Sequence, residues 1–136
     1  MANVRIANAV EGNGSAVLLS IYLGDSWRSI QLYLDPTPKL QVSKNNSDWL
    51  PPVTLDQPLS VGVWKELHIH LANWRGLNGS GLVAVTIDGI DAGTATFPGN
   101  QPSDTSSDST ISLGIADAKG PLEPLRVDFD NVRIYY

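Results

Sequence analysis

Two stretches close together in the chain, GVWKELHIHL at residues 62–71 and GLVAVTIDG at residues 81–89, decide the fold class. Apolar and polar residues alternate in both, which is the pattern of a β-strand with one buried face. The second stretch ends in Asp88-Gly89, a dipeptide typical of the two-residue turn of a β-hairpin. The first strand is predicted to bury Leu67, Ile69 and Leu71 and to expose Glu66, His68 and His70.

Similar short runs recur along the rest of the chain, and no stretch carries the period of an amphipathic helix. Clusters of Gly, Pro, Asn and Asp separate the runs, as turns do. Many short strands joined by turns predict an all-β sandwich or barrel, formed by a single domain of residues 1–136 with a long surface loop at residues 97–110. The predicted strands are Val4–Val10, Ala16–Leu23, Ser29–Leu34, Leu40–Ser43, Lys65–Leu71, Leu82–Ile87, Asp91–Phe97, Ile111–Ala116 and Arg126–Tyr135.

The charge and hydropathy of the chain argue against two classes of partner. It has 136 residues with 9 Lys and Arg against 14 Asp and Glu, which gives a net charge of −5. Because a nucleic-acid-binding surface needs clustered basic residues, we expect no nucleic-acid partner. No apolar run reaches the roughly 20 residues of a membrane-spanning helix, so we also expect no membrane insertion.

The chain contains no cysteine, which excludes disulfides, thiolate metal sites and cysteine nucleophiles. Residues 1–6 lack the apolar segment of a secretory signal peptide. We expect a domain excised from a larger exported protein, with an extracellular or cell-surface location.

The last predicted strand changes the face on which its apolar residues lie. Val127 and Phe129 share one parity, whereas Val132 and Ile134 share the other. A strand with one buried face can do this only if it contains an extra residue, so we predict a β-bulge or bend at Asp130-Asn131.

Four stretches carry a family resemblance: GVW-x-x-L-x-I-x-L at residues 62–71, GLVAVTIDG at 81–89, ISLG at 111–114 and DFDNVRI at 128–134. Together they resemble the laminin G-like domains of the concanavalin A-like lectin/glucanase superfamily. The resemblance implies a jelly-roll β-sandwich of two antiparallel sheets, with ligands on the concave sheet or its rim loops. It also implies that Trp64 is buried, and that one or two N-terminal strands are missing or the domain is a compact variant.

The catalytic residues of the superfamily are absent. Its glucanases carry a Glu-x-Asp-x-x-Glu strand, because glycoside hydrolysis needs two carboxylates at the scissile bond. None of the three glutamates, Glu11, Glu66 and Glu123, begins that motif, and no Gly-x-Ser-x-Gly elbow is present. The sugar-binding motifs of galectins are missing too. We therefore expect no enzyme, and a glycoside hydrolase is the weakest alternative.

Two groups of residues are candidates for ligand binding. His68 and His70 project with Glu66 from one strand face, where they could bind a metal, contact a sugar, or serve as ordinary outward-facing residues. The last interpretation is favoured.

Exposed aromatic rings are the second group, since sugar C–H faces pack on rings while hydroxyls need polar partners. Trp27, Trp49 and Trp74 lie in loop-like sequence, Tyr33 has solvent-face parity, and Phe97 and Phe129 are predicted to lie in the core. The resulting candidates are Trp74, Trp49, Tyr33, His68 and His70.

Calcium is the metal that the family resemblance brings into consideration, because many laminin G-like domains bind it through loop carboxylates. No dense acidic loop is present, and no ligand set can be chosen among Asp104, Asp108, Asp117, Asp128 and Asp130.

The leading hypothesis is a non-catalytic module that binds carbohydrate or a glycoprotein surface. The main alternative is an adhesion module that binds protein or assembles into a homo-oligomer through exposed aromatics or an unpaired edge strand.

Overall fold

The structure, a computed structural model of the chain, describes residues 1–7, 15–23, 28–35, 37–42, 49–72, 81–97, 110–119 and 126–135. All regular secondary structure among these residues is β-strand. The described residues include no helix that is long and apolar enough to cross a membrane. The strands are β1 Ala2–Ile6, β2 Ser15–Leu23, β3 Arg28–Asp35, β4 Thr37–Val42, β5 Val53–Thr54, β6 Lys65–Ala72, β7 Gly81–Ile87, β8 Ile90–Phe97, β9 Thr110–Lys119 and β10 Val127–Asp130.

The strands form two five-stranded antiparallel sheets. The front sheet has the order β5-β4-β3-β2-β9, and the back sheet has the order β10-β1-β6-β7-β8. One hydrophobic cluster contains buried side chains from both sheets, for example Leu32 and Leu40 from the front sheet and Val4 and Val85 from the back sheet. The two sheets therefore pack face to face in a β-sandwich-like arrangement, and the predicted all-β class with two antiparallel sheets is confirmed.

The alternating strands predicted at residues 62–71 and 81–89 are present, and so is the hairpin turn predicted at Asp88-Gly89. Buried and partly buried residues alternate without interruption along β7, and in β6 Leu67 is buried while His68 and His70 are exposed. Asp88 and Gly89 join β7 to β8 with φ angles of 54° and 76°. Positive φ at both central positions is what a two-residue hairpin turn of type I′ requires.

The bulge predicted at Asp130-Asn131 is also present. β1 and β10 pair in a constant register from Ile6↔Val127 to Asn3↔Asp130. The next link joins the main chains of Met1 and Arg133 by two hydrogen bonds of 2.8 Å, so one extra residue has been inserted after β10. Asn131 has a φ of 50°, and its N–H donates to Asp130 Oδ1 at 2.8 Å. β10 ends at this bulge, and the strand is shorter than the predicted Arg126–Tyr135.

A second bulge lies in β2, where Val17 pairs with Tyr33 but Leu19 pairs with Leu32. Leu18 is the extra residue, and both Leu18 and Leu19 are buried in the core. The extra residue explains why the consecutive residues Leu18 and Leu19 both lie in the core, in a strand whose other residues alternate.

Two strands differ from the sequence prediction. β4 begins at Thr37, inside a Pro-containing segment that was predicted to be a turn, because a proline near the start of a strand costs few ladder hydrogen bonds. β5 has only two residues and was not predicted, since so short a segment carries no periodicity. The predicted loop at residues 97–110 lies, apart from its two ends, outside the described residues.

Candidate functional site

The outer face of the front sheet collects polar and aromatic side chains. In β3, the side chains of Ile30, Leu32 and Leu34 point into the core, and the alternate residues point away from it. The same holds for the neighbouring strands. We call this outer surface the front face. Its described side chains are Val17, Ser20, Tyr22, Ser29, Gln31, Tyr33, Thr37, Lys39, Gln41, Thr54, Thr110 and Ser112.

The strand register arranges the front face in rows that cross the sheet. The central row is a line of hydroxyl and carboxamide groups, in the order Gln41, Gln31, Ser20, Ser112. A second row contains Ser29, Tyr22 and Thr110, and a third contains Thr54, Lys39, Tyr33 and Val17. Neighbours within a row are about 5 Å apart, and rows follow one another at about 7 Å, so the whole set lies within reach of one extended ligand.

Trp49 borders the same face at the β5 edge of the sheet. The N–H of Leu50 donates to Val42 O at 2.9 Å, and Gln41 Nε2 donates to Leu50 O at 3.1 Å. Because the Leu50 side chain packs against the core, the preceding residue points toward the front face, where Trp49 is 36% exposed. Trp49 lies level with the row of Tyr22, three strand spacings away, which corresponds to about 14 Å.

The described side chains of the front face carry little charge. Lys39 is the one charged group among them, and the others are hydroxyls, carboxamides, phenols and the apolar Val17. Such a surface can form many hydrogen bonds without attracting ions strongly. It therefore suits a neutral ligand rich in hydroxyl groups better than an anion or a metal.

The two histidines lie on the outer face of the back sheet, on the opposite side of the molecule. His68 Nε2 is 3.0 Å from Glu66 Oε1, and His68 pairs across the sheet with Thr86, whereas His70 pairs with Ala84. The described residues contain no group of three or more His, Asp or Glu side chains that could hold a metal. The pair is thus arranged as ordinary outward-facing residues of a sheet.

The expectation that Trp64 is buried is wrong. Trp64 precedes β6 with the parity of Glu66 and His68, and it is 43% exposed on the outer side of the back sheet. The guanidinium of Arg5 lies 4.9 Å from the centre of its ring, so a cation–π contact replaces burial as the interaction that holds the indole.

Asp128 and Asp130, considered above as calcium ligands, are engaged elsewhere. Arg5 Nε and Nη2 donate to Asp128 Oδ2 at 3.0 and 2.6 Å, and Arg126 Nε donates to Asp128 Oδ1 at 2.8 Å. Asp130 bonds to Asn131. Asp104, Asp108 and the side chain of Asp117 lie outside the described residues, so the described carboxylates assemble no calcium site.

The hydrogen bonds from Arg5 and Arg126 lower the pKa of Asp128 below its ordinary value of 3.8. A carboxyl group whose pKa is lowered by folding stabilises the fold above that ordinary value, and this contribution is lost as the pH falls through the lowered pKa. We expect the urea midpoint of the wild type to fall more steeply below about pH 4 than that of Asp128→Asn. The neighbouring variant Asp130→Asn is the control and should retain the wild-type slope; parallel curves for wild type and Asp128→Asn would contradict the prediction.

The structure brings two of the five candidate residues together. Tyr33 and Trp49 lie on the front face, His68 and His70 lie on the opposite face, and Trp74, like Trp27, lies outside the described residues. Sequence reasoning missed several front-face residues, among them Tyr22, Gln31 and Gln41. Each lies next to buried aliphatic residues in an alternating segment, which is the signal that could have identified it.

Comparison of the chain with protein-family models, with curated proteins and with solved structures finds no match. The resemblance to laminin G-like domains therefore rests on the four sequence stretches alone.

Proposed function

We propose that the chain is a non-catalytic recognition module that binds neutral glycans, free or on glycoproteins, across its front face. One observation carries the proposal: a weakly charged sheet face offers rows of hydroxyl and carboxamide groups beside three aromatic side chains, Tyr22, Tyr33 and Trp49. These are the two kinds of group that sugar recognition needs, because the C–H faces of the sugar pack on rings and its hydroxyls require polar partners.

The dimensions of the face favour an oligosaccharide over a single sugar. Trp49 and Tyr22 lie about 14 Å apart along one row, with the small side chain of Ser29 between them. A linear glycan can lie across the strands over Ser29, with its hydroxyls toward Gln31 and Gln41 in the adjacent row.

The described front-face side chains favour a role in binding without catalysis. None of the front-face side chains that the structure describes is acidic, whereas glycoside hydrolysis needs two carboxyl groups at the scissile bond.

The proposal includes the finer fold assignment, a laminin G-like jelly roll, and an extracellular or cell-surface location. Two packed antiparallel sheets of five strands support the jelly roll, since that architecture also consists of two such sheets.

Binding of soluble neutral polysaccharides, followed by calorimetry and by tryptophan fluorescence, tests the proposal. We expect a β-glucan or a xylan to bind, and an acidic polysaccharide of equal length to bind more weakly because the protein has a net charge of −5. Tyr33→Ala and Trp49→Ala should each weaken binding about tenfold, which is the loss expected for one aromatic contact.

The matched controls lie on the opposite face. His70→Ala and Thr94→Ala change exposed residues of the back sheet and should leave the affinity unchanged. Equal losses in front-face and back-face variants, or no binding of any neutral glycan tested, would rule out the front face as a glycan site. Measurements with and without a chelator show whether calcium takes part.

A further inference from the structure

In the part of the chain that the structure describes, the core of the sandwich is open along one side, where β9 and β10 are the adjoining edge strands of the two sheets. Ile111 and Leu113 of β9 pair with Ile21 and Leu19, which are buried in the core. Directly paired residues share a face of the sheet, so Ile111 and Leu113 also point to the core side. Nevertheless they are 43% and 36% exposed.

The segment after β10 shows the same mismatch. The bulge at Asn131 places Val132 and Ile134 on the parity of the core side, yet these residues are 44% and 59% exposed. Four aliphatic side chains that face inward therefore remain in contact with solvent. Together they expose roughly 300 Å² of apolar surface, a size at which patches on monomers commonly mark interaction sites.

We propose that a second copy of the chain covers this open side, by antiparallel pairing of β9 with β9 of the partner, with the twofold axis at Ser112. This proposal does not depend on the glycan site. Pairing about Ser112 places Ile111 opposite Leu113 of the partner subunit on the core side of both copies. An isologous contact of this kind is self-complementary, as a twofold symmetric interface must be.

The charge and shape of β9 favour a copy of the chain as the occupant. Residues 110–116 carry no charged side chain, so two copies can approach there although each has a net charge of −5. Thr110–Leu113 pairs regularly with β2, whereas the register is irregular beyond Leu113 and Gly114 has a φ of 107°. Only the regular part is straight enough to accept another strand, and it contains Ser112.

The size of the contact predicts reversible association. Two exposed apolar patches of roughly 300 Å² each and a short paired edge stay below the roughly 1,200 Å² at the lower end of specific interfaces. We therefore expect a monomer–dimer equilibrium that depends on protein concentration, and we do not expect a permanent dimer.

Sedimentation equilibrium over a hundredfold range of concentration tests the proposal, together with cross-linking through an introduced cysteine. Because the chain has no cysteine, Ser112→Cys adds the only thiol, and two copies paired at the twofold axis bring these thiols within disulfide distance. We expect a disulfide-linked dimer on mild oxidation. Thr94→Cys, on the edge strand β8 of the back sheet, is the matched control and should remain monomeric.

Leu113→Lys should weaken dimerisation at least tenfold, and Leu113→Thr repeats the test with a residue that favours strands, in case the lysine variant folds poorly. Both variants are compared with the wild type by circular dichroism and thermal melting. A wild type that stays monomeric at every concentration overturns the proposal. So does a dimer that tolerates both substitutions, that forms through Thr94→Cys, or that Ser112→Cys fails to cross-link.

Discussion

Replacing Leu40 with alanine is expected to lower the free energy of unfolding by about 2–5 kcal/mol, the range measured for buried leucines. Leu40 is 0% exposed and belongs to the cluster shared by the two sheets. It lies on β4, which is flanked by β3 and β5, so the backbone around the site is held on both sides. Little collapse into the space left by the side chain is possible, which favours the upper half of the range.

Urea denaturation followed by tryptophan fluorescence measures this loss. The control is Ile90→Ala, which truncates an aliphatic residue that is more than half exposed at the start of β8. We expect the control to lose less than about 1 kcal/mol, as surface substitutions do. Similar losses for the two variants would contradict a core formed between the sheets at Leu40.

A substitution at Gly93 is also expected to lower the free energy of unfolding. A Cβ at this position of β8 would lie 2.8 Å from Leu55 Cδ2 and 3.6 Å from Val53 Cγ1. Leu55 is itself buried, so its methyl group cannot move away without disturbing the core. We expect Gly93→Ala to lower the free energy of unfolding by about 1–3 kcal/mol through overpacking.

The same substitution should change sign when Leu55 is shortened. In a Leu55→Ala background the added methyl group occupies vacated space, and alanine costs less chain entropy than glycine in a strand. Gly93→Ala should there be neutral or stabilising, although Leu55→Ala alone costs about 2–5 kcal/mol. A double-mutant cycle by urea denaturation gives the coupling, for which we expect about 1–3 kcal/mol. Additive effects would show that the two residues do not contact each other.

Period-two alternation predicted more of this protein than the family resemblance did. Alternation alone assigns Trp64 to the face of Glu66 and His68, and the structure places it there. The resemblance assigned the same residue to the core and was wrong. The bulge at Asn131 was predicted for the same reason, since a change of parity needs an extra residue wherever one face is buried.

The candidate site was only half predictable, because its assembly depends on long-range pairing. The exposed parity of Tyr33 follows from its neighbours in sequence. Trp49, in contrast, reaches the front face through main-chain hydrogen bonding between Leu50 and Val42 at the sheet edge, in a stretch that has no periodicity of its own. Alternation also cannot say which of two sheets an exposed residue belongs to, and for this reason His68 and His70 were grouped with residues of the opposite face.

In the back sheet β1 pairs with β10, and the long chain between these two strands affects the folding kinetics. Arg5 and Asp128 meet across β1 and β10 although 123 positions separate them in sequence. The β7–β8 hairpin, joined by Asp88-Gly89, can form locally within microseconds, but β10 must find β1 against the entropy of closing a very long loop. We expect folding in milliseconds to seconds, as for other proteins rich in non-local strand pairs. β10 should join late, and substitutions in it should mainly accelerate unfolding while leaving the folding rate almost unchanged.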